Sequence, residues 1–64
     1  MITKEMTISE IIQVNMNIMS ILLNAGMHCV GCPSAQNETL EEACMVHGIE
    51  VEPLVKQINA YLGQ

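Results

Sequence analysis

Apolar residues recur at helical spacing in this chain, and this pattern limits what the chain can fold into. Ile18, Ile21, Leu22 and Ala25 occupy the i, i+3, i+4 and i+7 positions of one helix face. No stretch shows the sustained period-2 alternation of a half-buried strand. The sequence therefore predicts an all-α fold.

Two helices are predicted in the first part of the chain. Thr7-Ile8-Ser9-Glu10 matches a capping box, in which a Thr at the N-cap is followed three residues later by a Glu. This box opens a helix through about Val14, and Asn15-Met16-Asn17 interrupts the helical pattern. The second helix runs from about Asn17 to Ala25, and Gly26 supplies the left-handed residue that ends it.

Two further helices are predicted in the second part of the chain. Thr39-Leu40-Glu41-Glu42 is another capping box, and its helix runs to His47 with Gly48 as the stop. Glu52-Pro53 opens the last helix, because proline is tolerated in a first turn, and Gly63 ends it. The inner side of this helix is predicted to carry Leu54, Val55, Ile58, Tyr61 and Leu62.

The composition predicts one small domain spanning residues 1–64. A chain of 64 residues buries only about 60% of the surface that its unfolded form exposes. There is no Trp and no Phe, so the core must consist of aliphatic residues and the six methionines. We expect a compact four-helix domain, with a short turn through Gln36 as a fifth helical piece.

The charge and hydropathy of the chain exclude two classes of partner. The net charge is −5, and Lys4 and Lys56 are the only basic side chains apart from histidine, so no cluster can neutralise phosphates. Nucleic acids and anionic membrane surfaces are therefore not expected partners. The longest apolar stretch, residues 18–25, is far shorter than the roughly 20 residues of a membrane span. With no secretory signal visible, the expected location is cytoplasmic.

A Cys-x-x-Cys pair, Cys29 and Cys32, is the feature that carries chemistry. The pKa of a thiol falls within such a pair, near a helix N-terminus and beside a cation. Pro33 predicts a helix beginning just after the pair, His28 can stabilise a thiolate when protonated, and Gly31 allows a tight bend. The loop before the third helix is therefore predicted to hold a redox pair, with Cys29 as nucleophile and Cys32 as resolving thiol.

Metal binding is a second interpretation of the same residues. Cys44 and His47 are three residues apart on the predicted third helix, and with Cys29 and Cys32 they would supply four ligands. Tetrahedral zinc accepts three cysteines and one histidine, and an iron–sulfur cluster uses similar ligands. The alternative for Cys44 is simple core packing, since free cysteine packs well in protein cores.

A third interpretation comes from a local match to copper chaperones. Gly26-Met27-His28-Cys29-Val30-Gly31-Cys32 is similar to the Gly-Met-x-Cys-x-x-Cys loop of heavy-metal-associated domains, and two thiolates suit Cu(I). Those domains are β-α-β-β-α-β, with the loop after the first strand. Here about 25 helical residues precede the loop, so the match covers the loop alone.

Over nearly its whole length the chain resembles the hybrid-cluster-protein-associated redox disulfide domain, which belongs to a wider family of small helical domains of unknown function. The segments that carry the resemblance are Ala25-Gly26-Met27-His28-Cys29-Val30-Gly31-Cys32, Glu38-Thr39-Leu40-Glu41-Glu42-Ala43, His47-Gly48-Ile49, Thr7-Ile8-Ser9-Glu10-Ile11-Ile12 and Leu54-Val55-Lys56-Gln57-Ile58-Asn59. The resemblance implies a compact helical fold and a bacterial cytoplasm. It also implies a Cys29–Cys32 dithiol–disulfide cycle and a link to hybrid cluster protein, an iron–sulfur enzyme. Cys44 is not part of the family motif.

Three functions therefore remain open from the sequence. The first is a disulfide oxidoreductase that uses no cofactor and exchanges with a protein thiol or disulfide. The second is a module binding zinc, iron–sulfur or Cu(I) through Cys29 and Cys32, with Cys44 and His47 as further ligands. The third is a non-catalytic interaction domain whose cysteines are inert.

Overall fold

The computed structural model describes residues 1–27 and 36–63, and within them it confirms the all-α prediction. Four helices and no strand are present there: α1 (Ile8–Val14), α2 (Ile18–Asn24), α3 (Leu40–His47) and α4 (Val51–Tyr61). The radius of gyration is 10.1 Å, close to the value of about 11 Å expected for a compact chain of this length. None of these four helices has the length and apolar character needed to cross a membrane.

Both predicted capping boxes are present. At the start of α1, the Thr7 N–H donates to Glu10 Oε1 at 2.8 Å, and the Glu10 N–H donates to Thr7 Oγ1 at 3.2 Å. At the start of α3, the Thr39 N–H donates to Glu42 Oε1 at 3.0 Å, and the Glu42 N–H donates to Thr39 Oγ1 at 3.2 Å. Each box satisfies two amides that would otherwise lack a partner at a helix N-terminus.

The two capping boxes also pair with each other. An isolated antiparallel bridge joins Thr7 to Thr39, the two N-cap residues. In both directions, the first amide of one helix donates to the carbonyl just before the other helix's cap. These bonds are Ile8 N–H to Glu38 O and Leu40 N–H to Met6 O, each 2.9 Å long. The arrangement fixes the start of α1 against the start of α3.

The N-terminus of α3 gains one more partner from the first residues of the chain. The Glu41 N–H donates to the carbonyl of Lys4 at 3.1 Å. The first three amides of α3, those of Leu40, Glu41 and Glu42, are therefore all satisfied. A helix of 8 residues is too short to be stable alone, so these external bonds contribute to its formation.

The core contains aliphatic residues, Cys44 and one methionine, Met27, and no buried polar side chain among the described residues. The prediction that all six methionines belong to the core is wrong, because Met1, Met16 and Met45 lie at the chain start, in the break and near a helix end, where they are exposed. Every helix contributes to it, and α1 packs against α2 while α3 packs against α4. Cys44 is part of this core and is only 1% exposed. The buried residues are Ile2, Ile8, Ile11, Ile18, Leu22, Met27, Leu40, Ala43, Cys44, Leu54 and Ile58.

The N-terminal segment is held by α4, a contact that the sequence did not predict. The Ile2 N–H donates to Asn59 Oδ1 at 2.8 Å, and Asn59 Nδ2 donates to the Ile2 carbonyl at 3.1 Å. One amide side chain thus satisfies both backbone groups of a residue whose own side chain is buried. Lys4 Nζ lies 3.5 Å from Glu41 Oε2 and 3.7 Å from Glu52 Oε2, but such exposed ion pairs add little to the stability of the fold.

Two predictions for the last helix need correction. The helix begins at Val51 rather than at the Glu52-Pro53 step, which leaves Pro53 inside the first turn, where a missing N–H costs nothing. Tyr61 is 50% exposed and does not belong to the inner side. Leu62, four residues after Ile58, packs against the core at this end, so the Tyr61 ring remains partly in water.

The predicted break between the first two helices is also confirmed. Asn15 has an extended backbone with φ −161° and ψ 116°, and its side-chain oxygen accepts the N–H of Asn17 at 2.9 Å. This local bond offers the backbone an alternative to a further helical turn, which is how asparagine ends a helix. The chain can then reverse and pack α2 against α1.

We predict that the two caps are energetically coupled. Thr7→Ala and Thr39→Ala should each lower the free energy of unfolding by about 1 kcal/mol, since each loses a side-chain cap. The double variant should cost less than the sum, because fraying one N-terminus also weakens the bridge to the other. Urea denaturation of the four proteins measures this coupling, with the exposed Thr3→Ala as the control. Strict additivity would contradict it.

Candidate functional site

The predicted site falls partly inside and partly outside the described residues. Cys44 and His47 lie on α3 and are described. Outside the described residues are the predicted pair, Cys29 and Cys32, the predicted tuning residues His28, Gly31 and Pro33, and the first part of the predicted turn through Gln36. The structure therefore defines how the chain enters and leaves the segment that carries the pair.

The chain leaves α2 through a Schellman motif, two residues before Cys29. The Met27 N–H donates to the Leu22 carbonyl at 3.0 Å, and the Gly26 N–H donates to the Leu23 carbonyl at 3.1 Å. Gly26 has a φ of +107°, as predicted for the residue that ends this helix. Met27 is 2% exposed, so the last described residue before the pair is anchored in the core.

The end of α3 has the same construction. The Ile49 N–H donates to the Cys44 carbonyl at 2.8 Å, and the Gly48 N–H donates to the Met45 carbonyl at 3.3 Å. Gly48 is left-handed, with φ +69° and ψ +30°. Ile49 then packs against the core at the position that Met27 occupies after α2.

These two turns lie against each other. A Cβ built on Gly26 would be 3.9 Å from Cδ1 of Ile49, which is an ordinary contact distance. The segment that carries the cysteine pair therefore starts beside the C-terminal end of α3. It leads to Glu38, whose carbonyl accepts the Ile8 N–H at the N-terminal end of α3. The described residues before and after the cysteine segment thus lie near opposite ends of one helix, Gly26 near its C-terminal end and Glu38 at its N-terminal end.

Cys44 is buried among apolar side chains, and its thiol is expected to be unreactive. Its side chain is 1% exposed, and burial raises the pKa of its thiol above the ordinary value. Because the thiolate is the nucleophile and the metal ligand, a raised pKa makes Cys44 less reactive at neutral pH. The core interpretation of Cys44 agrees with this position.

His47 does not share the environment of Cys44. It is exposed and is the last residue of α3, where a cation interacts favourably with the helix dipole. In residues 1–27 and 36–63, no three His, Cys, Asp or Glu side chains are grouped as metal ligands. The predicted four-ligand set also needs Cys29 and Cys32, so it remains a prediction.

Exposed apolar residues accompany both turns, a feature that sequence reasoning missed. Met45 is 76% exposed, Val46 is 74% exposed and Leu23 is 43% exposed. Leu23 and Met45 occupy the same position in their Schellman motifs, each accepting the N–H of the glycine that ends its helix. Their place three residues before a helix-stopping glycine was the available signal, because a side chain at a helix end has little core left to cover.

Comparison with known proteins identifies relatives of the whole domain. The model of a family described as a domain of unknown function, DUF1858, matches residues 2–55. The NMR solution structure of a Clostridium thermocellum protein, a target of the Northeast Structural Genomics Consortium, is similar to this chain. It shares 47% sequence identity with a TM-score of 0.85, over 97% of this chain and 89% of that one. No curated protein matches.

Gly26 and Gly48 should respond differently to replacement by asparagine. Gly48 has backbone angles close to the left-handed region that asparagine tolerates, and nothing lies within 4 Å of a Cβ there. Gly48→Asn should therefore cost below about 1 kcal/mol, whereas Gly26→Asn, at φ +107°, should cost about 2 kcal/mol. Equal losses in urea denaturation would contradict this prediction, since neither site is crowded.

Cys44 should be protected from thiol reagents by the fold. In a Cys29→Ser/Cys32→Ser variant, Cys44 is the one remaining thiol. We expect it to react with 5,5′-dithiobis(2-nitrobenzoate) at pH 8 far more slowly in native buffer than in urea. Both the burial and the raised pKa act in this direction, since they limit access and reduce the thiolate fraction. Reaction in native buffer at the unfolded rate would show that Cys44 is accessible.

Proposed function

This chain belongs to the DUF1858 family of domains of unknown function, and from its own residues we propose that it is a thiol–disulfide redox module. The proposed reactive pair is Cys29 and Cys32. The observation that carries the proposal is a division among the three thiols. Two stand at Cys-x-x-Cys spacing in one segment, while the third, Cys44, is buried in the core with a raised pKa.

The division matters because disulfide exchange requires a thiolate that a partner can reach. A third accessible thiol in so small a protein would compete for the disulfide and form unproductive pairs. Burial removes Cys44 from this competition, because it limits access to the thiol and raises its pKa. The remaining pair closes a ring of only a few residues, which is the arrangement of reversible redox disulfides rather than of structural cross-links.

In the proposed cycle, the thiolate of Cys29 attacks one sulfur of a partner disulfide, and the partner's other sulfur leaves as a thiolate that takes up a proton. The thiol of Cys32 then loses its proton and attacks Cys29 in the mixed disulfide, releasing the second partner thiol. Two electrons and two protons pass from the pair to the partner. His28, Gly31 and Pro33 are the proposed tuning residues for the Cys29 thiolate.

A protein is the proposed partner of this cycle. A cavity among the described residues is an open groove of about 290 Å³ between the N-terminal segment and α4, and no cysteine lines it. By contrast, the turns beside the start of the cysteine segment carry exposed apolar side chains, Leu23, Met45 and Val46, of the kind that protein contacts bury. The resemblance to the hybrid-cluster-associated domain favours hybrid cluster protein, in a bacterial cytoplasm.

The cysteine variants test the assignment of roles. Cys29→Ser should abolish exchange with a model disulfide such as oxidised glutathione. Cys32→Ser should accumulate a mixed disulfide on Cys29, visible as an added glutathione mass. Cys44→Ala is the matched control and should keep full exchange while losing about 1 kcal/mol of stability from the core. Native-rate exchange by Cys29→Ser would overturn the assignment of the nucleophile.

Native mass spectrometry separates this function from the metal alternative. The protein is purified without added metal or reductant and measured before and after mild reduction. A metal-free species that is two hydrogens lighter, and is restored by reduction, supports the redox pair. A bound metal ion that is lost in both Cys29→Ser and Cys44→Ala would instead establish the four-ligand site.

A further inference from the structure

We propose that the outer face of α3 is a docking surface for a basic amphipathic helix of a partner protein. This α3 outer face consists of two acidic and two apolar side chains, all exposed: Glu41, Glu42, Met45 and Val46. The inference goes beyond the proposed redox function and does not depend on it, because no cysteine belongs to the face.

The spacing of these residues on α3 brings their side chains together. Residues three or four apart share one face of a helix, so Glu41 lies one turn before Met45, and Glu42 lies one turn before Val46. The opposite face of the helix belongs to the core and carries its three buried residues, Leu40, Ala43 and Cys44. The outer face is therefore free of any role in the packing of this core.

The apolar half of the face is unusually open to water. Met45 is 76% exposed and Val46 is 74% exposed, more than any other large apolar residue on the four helices. Their position near a helix end accounts for the exposure but not for the residue types, since valine is a weaker helix former than lysine, glutamate or alanine. Adjacent exposed apolar side chains are typical of surfaces that bind another protein, where methionine is enriched.

The charge of the face indicates which partner it fits. The chain has 7 acidic and 2 basic side chains apart from histidine, and its net charge is −5. On the face, Lys4 lies 3.5 Å from Glu41 but is shared with Glu52, and Glu42 has no lysine partner among the described residues. Basic side chains beside apolar ones would complement this face, whereas a second copy of the chain would bring like charges together.

The shape of the face favours a helix as the docked element. The face is the convex surface of one helix and carries two rows of side chains at i, i+4 spacing. Such rows pack into the grooves of another helix at an interaxial distance of about 8–10 Å. An amphipathic helix can then place its apolar side chains on Met45 and Val46 and its lysines or arginines beside Glu41 and Glu42.

The first test removes the apolar half of the face. The probe is a synthetic amphipathic helical peptide of leucine and lysine, and its binding to the full chain is measured by fluorescence anisotropy at physiological ionic strength. Met45→Gln/Val46→Thr should weaken binding at least about fivefold. The matched control, Val14→Thr/Met16→Gln, changes the same two residue types at exposed positions elsewhere and should bind the peptide like the wild type.

The second test removes one charge from the acidic half. Glu42→Gln and Glu10→Gln each change the N3 residue of a capping box, and glutamine preserves such a box. Both variants lose the same net charge, so their difference reports the face rather than the charge of the whole protein. We expect Glu42→Gln to weaken peptide binding at least about twofold and Glu10→Gln to have a smaller effect.

Three results would overturn the inference. One is equal weakening by the two variants of either pair, since binding would then reflect the general charge and hydrophobicity of the chain. Another is a wild type that does not bind the peptide, which would leave the redox proposal intact. The third is a wild-type dimer in sedimentation equilibrium that Met45→Gln/Val46→Thr dissociates and the control preserves, because the face would then belong to a second copy.

Discussion

The pairing of two helix N-termini is the constraint on which the rest of this fold depends. Thr7 and Thr39 form an antiparallel bridge, and the first amide of each helix donates to the carbonyl just before the other helix's N-cap. This pairing meets the hydrogen-bonding needs of two helix ends without burying a polar side chain. It also directs Ile8 and Leu40, the first residue of each helix, into the core, where both are fully buried. A domain of this size buries little apolar surface, so it gains from satisfying these amides without placing polar side chains in the core.

The pairing also determines how the cysteine segment is held. Because α1 and α3 start together, the segment between α2 and α3 must lead from the Gly26 turn to the paired caps. At its start, the Ile49 side chain lies near the Gly26 turn, and at its end, the Glu38 carbonyl accepts the Ile8 N–H. The proposed reactive pair is thus framed by backbone hydrogen bonds, which most side-chain substitutions leave intact.

The sequence predicted the features that depend on residues close to one another in the chain. A Thr followed by a Glu three residues later predicted both capping boxes, and Gly26, Gly48 and Gly63 predicted the ends of α2, α3 and α4, since each feature depends on neighbouring residues alone. Two contacts depend on tertiary packing and leave no local signal in the sequence. One is the bridge between Thr7 and Thr39, and the other is the pair of hydrogen bonds between Asn59 and Ile2, 57 residues apart. The prediction that Tyr61 lies on the inner side of α4 was wrong for the same reason. Helical spacing says which residues share a face but not where the core ends. The burial of Cys44 was inferable from its neighbours on α3, whereas the exposure of His47 follows from its place at the helix end.

The position of Cys44 shows how a small core can assign reactivity. Its carbonyl accepts the Ile49 N–H, so its backbone belongs to the turn that touches the start of the cysteine segment. Its thiol nevertheless lies within the core, where desolvation disfavours the thiolate. A chain with three cysteines can therefore restrict exchange to two of them by packing alone. If this restriction is what the core provides, then residues that hold Cys44 inward contribute to redox specificity as directly as residues beside the pair. On this argument, specificity in the proposed function is a property of how the core packs around Cys44.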